Sequence, residues 1–181
     1  MTRNLWLPLT ALLSFAVASL PLSAQAPNPK VLIKTSLGDI TLELDPAKAP
    51  ITVKNFLAYV DAKFYDGTIF HRVIPGFMIQ GGDPTGTGRG GPGYQFENEN
   101  RGSAHGFPPG TLAMANAGLN TNGSQFFIMD GNTPLPAASY TIFGEVKEGQ
   151  DIVKAIANSP RNAQDRPNAE IVMKSVTIEE K

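Results

Sequence analysis

Glycine and proline, 18 and 15 of 181 residues, interrupt this chain so often that long helices are excluded over most of it. Between the interruptions lie short runs rich in β-branched and aromatic residues. They are Lys30–Thr35, Asp39–Leu44, Ile69–Ile74, Phe77–Gly81, Thr111–Ala115, Gln125–Met129, Ile142–Val146 and a closing Glu170–Glu179. Ser36-Leu37-Gly38 is a hairpin signal between the first two. In the second, Ile40, Leu42 and Leu44 alternate with Thr41 and Glu43, so one face is buried and the other wet. Two stretches carry a helical period instead. Val53, Phe56, Leu57 and Val60 form one apolar stripe behind Pro50 and Thr52, which suit a first turn. Ile152, Val153 and Ile156 share one side of Gln150–Asn158. Seven or eight short strands with one early and one late helix predict a mainly β domain, a closed or nearly closed barrel. No internal repeat or linker divides it, and the length suits one core.

Composition narrows the chemistry. Fifteen basic against 16 acidic side chains give a formal net charge of −1, without the basic excess that a nucleic-acid surface requires. The chain has no cysteine, which excludes disulfides, thiolate nucleophiles and cysteine-based metal sites. Its two histidines, His71 and His105, lack the i, i+4 spacing of a helical zinc motif, so no metal and no cofactor are expected. Gly86–Gly91 matches a G-x-G-x-x-G pattern, but Pro92-Gly93 forbids the helix a dinucleotide site needs there, and a flexible loop is expected. Asn122-Gly123-Ser124 fits a glycosylation acceptor, which a bacterial export context would leave unused.

Arg3, an apolar run from Leu5 to Leu20, and the small residues Ser23, Ala24 and Ala26 have the layout of a secretory signal peptide. The run is short for a membrane span and contains Pro8. Residues 1–24 are read as a signal peptide, 25–29 as a flexible leader and 30–181 as the domain. Cleavage would remove Trp6, the only tryptophan. The mature chain is therefore expected in a periplasm, or secreted, without stable membrane association.

Residues 65–82 carry the chemistry: Tyr-Asp-Gly-Thr-Ile-Phe-His-Arg-Val-Ile-Pro-Gly-Phe-Met-Ile-Gln-Gly-Gly. They set a permanent cation, Arg72, near an aromatic (Phe77), a thioether (Met78) and an amide (Gln80). Side chains alternate along a strand, so Met78 and Gln80 share a face. Taken alone, these residues fit a concave cationic and apolar site, and equally an ordinary core with a surface ion pair. His71 points away from Arg72 on an extended strand and is read as structural.

This run resembles the signature of the cyclophilin family over its whole length. Further blocks follow in the family's order: Gly-Gly-Asp at 81–83, Met-Ala-Asn-Ala-Gly at 114–118, Gly-Ser-Gln-Phe-Phe-Ile at 123–128 and Phe-Gly-Glu-Val at 143–146. The likeness spans roughly residues 30–180 and points to the bacterial exported branch. It implies a closed eight-stranded antiparallel β-barrel capped by two α-helices, and a cofactor-independent peptidyl-prolyl cis-trans isomerase. Its partners would be proline-containing polypeptides, folding exported proteins among them, and the chain is expected to act as a monomer. By resemblance Arg72 is the catalytic residue. Phe77, Met78 and Phe127 match the proline pocket, Gln80 and Gln125 its polar wall, and Ala115, Asn116 and Ala117 the strand edge that binds substrate backbone. Where many members carry a rim tryptophan this chain has Leu135, and a common rim histidine is Tyr140. Both keep the wall apolar. The alternative to an isomerase is a catalytically silent peptide-binding module or chaperone of the same fold, which retention of Arg72, Phe77 and Phe127 argues against.

Overall fold

The computed structural model of the protein describes residues 27–99, 106–136 and 139–180. The predicted signal peptide, Gln25 and Ala26 of the leader, His105 and Lys181 lie outside the described residues. The described part contains β1 (Lys30–Thr35), β2 (Asp39–Leu44), α1 (Pro50–Asp61), β3 (Arg72–Ile74), β4 (Met78–Gly81), β5 (Thr111–Met114), β6 (Phe126–Met129), β7 (Ile142–Glu148), α2 (Gln150–Ala157) and β8 (Met173–Glu180). The strands form one antiparallel sheet in the order β3-β4-β6-β5-β7-β2-β1-β8.

The sheet is curled but open, which corrects the expected closed barrel. β3 has only three residues, shorter than the run expected from Ile69, and shares no ladder with β8. Across the seam runs a single bridge, Ile69 to Val172, flanked by bonds from the Gly67 amide to the Met173 carbonyl (2.8 Å) and from the Phe70 amide to the Ile171 carbonyl (3.0 Å). The segment before β3 turns at Gly67, whose φ of 79° suits glycine, and Thr68 bonds back to Tyr65. That turning leaves too little extended chain for a full ladder.

The central strands β4, β5 and β6 divide their side chains between two apolar clusters, whereas β1, β2 and β8 feed only the main one. Val31, Ile33, Ile40, Leu42, Leu44, Ile79, Leu112, Phe126 and Ile128 point into the curl and form the main core with both helices. Met78, Ala113, Phe127 and Met129, the alternate positions of β4, β5 and β6, form a second cluster on the opposite face. Both faces of β5 and β6 are therefore covered, and all eight of their residues are buried.

Helix α1 buries Val53, Phe56, Tyr59 and Val60. Phe56 sits among Tyr65, Phe126 and Phe143 at ring distances of 5.2, 5.6 and 5.2 Å, and its burial contributes roughly 2–3 kcal/mol. Ala49, at the N-cap, has no side chain to cap the helix. A distant carboxylate does so: Glu99 accepts the amides of Ile51 (3.0 Å) and Thr52 (2.7 Å) and the Thr52 hydroxyl (2.8 Å). Helix α2 begins at Gly149, with φ 88°, where a Cβ would come within 2.3 Å of the Asp39 carbonyl. No helix among the described residues is long and apolar enough to cross a membrane.

Candidate active site

Register across four strands assembles the site. Arg72 of β3 stands opposite Gln80 of β4, Gln80 opposite Phe127 of β6, and Phe127 opposite Ala113 of β5. Directly paired residues of antiparallel strands share a face, so cation, amide and aromatic ring lie in one row. One step along the strands runs a second row, Ile74, Met78 and Met129. Phe77, Leu135 and Tyr140 pack over these residues. Tyr140 meets the Phe127 ring edge to face at 5.4 Å. Phe107, fully buried, closes a triangle with both at 6.3 Å. The result is an apolar patch with a guanidinium at one margin.

A groove of about 770 Å³ adjoins this patch, lined by Gln80, residues 88–95, Ala115, Asn116, Ala117, Thr121 and residues 123–125. Gln80 and Gln125 form the boundary between the two. The Gln80 amide donates to Gln125 Oε1 (2.9 Å), and Gln125 Nε2 donates to the Gly90 carbonyl (2.9 Å). Ala115, Asn116 and Ala117 run past the end of β5 rather than within it. The Ala115 amide still donates to the Gln125 carbonyl (3.0 Å), and Asn116 Nδ2 donates to the Ser139 carbonyl (2.8 Å), next to Tyr140. All eleven residues singled out in the sequence thus lie on the patch or along its groove.

The 84–91 stretch is not a free loop but is wrapped around a carboxylate. Asp83, fully buried, accepts amides from Thr85 (2.7 Å), Thr87 (3.0 Å), Gly88 (2.6 Å) and Gly90 (3.1 Å), and the Thr85 hydroxyl (2.8 Å). Burial alone would raise its pKa, but the hydrogen bonds from Thr85, Gly90 and Gly88 outweigh it and hold the carboxyl at about 2. The glycines serve this wrapping, not a phosphate. A Cβ on Gly90 would fall 2.1 Å from Asp83 Oδ1.

His71 lies under that loop, buried, with its ring against Gly88 and no hydrogen-bond partner for either nitrogen among the described residues. Burial depresses its pKa, with the Asp83 charge opposing and the Arg166 and Arg72 charges assisting. It is thus a neutral packing residue. Asn122 is also buried, and its Nδ2, the atom to which a glycan would be attached, donates to the Glu97 carbonyl and Asn98 Oδ1, both at 3.0 Å. Among the described residues no group of three His, Asp or Glu side chains is placed to hold a metal.

Sequence reasoning missed three contributors. Phe107 carried one signal, a lone large apolar residue between Gly106 and Pro108. Asp83 carried another, an acidic residue followed by alternating Thr and Gly. The third, Asp165, had none. It reaches Arg72 from a loop far along the chain, with its Oδ2 3.9 Å from Arg72 Nε.

Residues 30–178 match the family model described as cyclophilin type peptidyl-prolyl cis-trans isomerase/CLD. The chain is 48% identical over 163 residues to peptidyl-prolyl cis-trans isomerase A of Mycobacterium tuberculosis, covering 81% of this chain and 90% of that protein. It is 47% identical over 154 residues to peptidyl-prolyl cis-trans isomerase-like 1 of Neurospora crassa, covering 83% and 94%. A crystal structure of a Cryptosporidium parvum cyclophilin superposes with a TM-score of 0.81 at 39% identity, covering 85% of this chain and 99% of that one. The same protein in the presence of the dipeptide Ala-Pro gives 0.79 at 40% identity, covering 84% and 99%.

Proposed function

The chain belongs to the cyclophilin-type peptidyl-prolyl cis-trans isomerases, and on that footing we propose that Arg72 is the residue through which it accelerates rotation about X-Pro bonds. The activity needs no cofactor, because the bond to be rotated is already present in both substrate and product. Its barrier of about 18–20 kcal/mol is the amide resonance lost when the bond twists. In the twisted state the proline nitrogen becomes pyramidal and recovers a lone pair. A guanidinium facing that nitrogen stabilises the twisted state more than either planar one, which is the requirement for catalysis.

The observation that carries this reading is the row Arg72, Gln80, Phe127 with Met78 one step along. The proline ring fits against Phe127, Met78, Phe77, Leu135 and Tyr140. The preceding residues lie along Ala115–Ala117, and the cation reaches in from the opposite side. Only the bond between ring and backbone is then free to turn. Going from tens of seconds to milliseconds takes about 5–6 kcal/mol, within reach of one charged donor acting beside an apolar pocket. The dipeptide Ala-Pro used with the Cryptosporidium protein has the chemistry this pocket fits.

We propose further that the enzyme belongs to the exported bacterial branch and works as a monomer on folding polypeptides in the periplasm. The support is the basic start, apolar run and small-residue end of residues 1–24. A mature N-terminus at Gln25 in an extracytoplasmic fraction would bear this out, and an intact Met1 in the cytoplasm would refute it.

The site reading is tested on residues 25–181 with an Ala-Ala-Pro-Phe peptide. Arg72→Ala should lower kcat/KM by about 10²–10³-fold, the cost of removing one preorganised donor, while the fold persists because Arg72 is partly exposed. A folded Arg72→Ala protein with wild-type rates would refute it.

A further inference from the structure

The loop between α2 and β8 is built to deliver one carboxylate to Arg72. Asn162 ties this loop together: its Oδ1 accepts the amides of Gln164 (2.9 Å) and Arg166 (3.1 Å), and its own amide donates to the Arg166 carbonyl (2.9 Å). Within this frame Asp165 holds a φ of 61°, a left-handed conformation that Asp and Asn tolerate and most residues do not. The Asp165 amide donates to the Asn162 carbonyl (3.1 Å), and its carbonyl accepts the Val73 amide (2.8 Å). That last bond joins the loop to the outer edge of β3, one residue from Arg72.

The carboxylate is shared between two arginines, one to each oxygen. Arg161 Nε donates to Oδ1 at 3.2 Å, and Arg72 Nε lies 3.9 Å from Oδ2. The second distance is too long for a direct hydrogen bond, so Asp165 acts on Arg72 by charge, drawing the Nε edge of the guanidinium toward itself. The terminal nitrogens, which carry four of the five N–H donors, are then turned away from the loop. An arginine on an edge strand with a 43% exposed side chain otherwise samples many rotamers. We propose that Asp165 is a positioning residue: it fixes the Arg72 guanidinium by its Nε edge and so presents the terminal fork to the X-Pro bond. This rests on the role assigned to Arg72 above.

The test compares wild type, Asp165→Asn, Arg72→Lys and the double variant in peptide exchange, with kcat and KM resolved, alongside Arg72→Ala. Asn keeps the left-handed backbone and every main-chain bond of the loop, so the fold is retained. The melting temperature should stay within about 3 °C of wild type, as expected for an exposed pair. Asp165→Asn should lower kcat about tenfold, the scale of a slightly misplaced catalytic group, with KM changed less than about twofold. On the Arg72→Lys background, where there is no Nε edge to hold, the same substitution should cost less than about twofold. A wild-type kcat in Asp165→Asn, with Arg72→Ala inactive, overturns the positioning role and leaves the function intact. An equal loss on both backgrounds also overturns it, since Asp165 would then act through something other than Arg72. A fully active Arg72→Ala overturns the assignment on which the inference stands.

Discussion

Replacing Asp83 by Asn asks whether the groove wall is held by a charge or by packing. The folded protein keeps this carboxyl at about 2, against 3.8 for the unperturbed group. At 1.36 kcal/mol per unit, that difference amounts to about 2–3 kcal/mol of stability. The hydrogen bonds lead to the same range. Asn offers one acceptor oxygen where the carboxylate offered two, and its NH₂ must face backbone amides that are themselves donors. Leaving one such amide unsatisfied costs about 1–3 kcal/mol. Asp83→Asn should therefore lower the melting temperature at pH 7 by about 5–10 °C for a domain of this size. The sign with pH is fixed: the folded pKa is depressed, so the contribution is complete above 3.8 and is lost as pH falls through about 2. The gap between wild type and variant, followed by calorimetry or circular dichroism, should narrow over that window. Gly90 holds Gln125, so peptide KM should rise as well. A variant that melts within about 2 °C of wild type at pH 7 would show that the loop is held without the charge.

Two further outcomes concern polar groups, one half-buried and one buried. Glu99→Ala removes the three bonds at the start of α1 and should cost about 1–2 kcal/mol, seen as a melting temperature lower by about 3–6 °C; an unchanged melt would mean that water replaces the cap. His71 has a depressed pKa and stays neutral in the folded state, whereas the unfolded chain takes up a proton near 6.5. Its contribution is present above 6.5 and lost as pH falls below it, so His71→Gln should flatten the decline of the urea midpoint between about pH 7.5 and 5. An identical slope in wild type and variant would refute this account.

Local signals sufficed for most of the elements, because they depend only on side-chain period and on glycine and proline. The Val53-Phe56-Leu57-Val60 stripe lies inside α1, and the Ile40-Leu42-Leu44 alternation gives the three buried positions of β2. The same alternation placed Met78 and Gln80 on one face. The strand order was not legible, since β4 lies beside β6 rather than β5 and the connections run through long glycine-rich loops. Nor was the open seam, which depends on how the chain turns at Gly67. Phe127 entered by resemblance; its place beside Gln80 is a matter of register between strands far apart in the chain. Asp165 stayed hidden because its role needs two distant segments to meet, and an Asp in a polar loop looks like any other.

The row of site residues also bears on how activity emerges during folding. Gln80 and Gln125 are 45 positions apart in the chain yet hydrogen-bonded, and each strand of the row supplies a single member. The β3–β4 hairpin carries Arg72, Phe77, Met78 and Gln80, but Phe127 joins them only when β6 pairs with β4. Pairings of such long sequence separation form late and slowly, because chain entropy is lost before contacts repay it. During refolding, catalytic activity should therefore return in step with the pairing of β4 with β6 and lag the recovery of helical signal. A chain built this way has no complete site until β4 and β6 have paired.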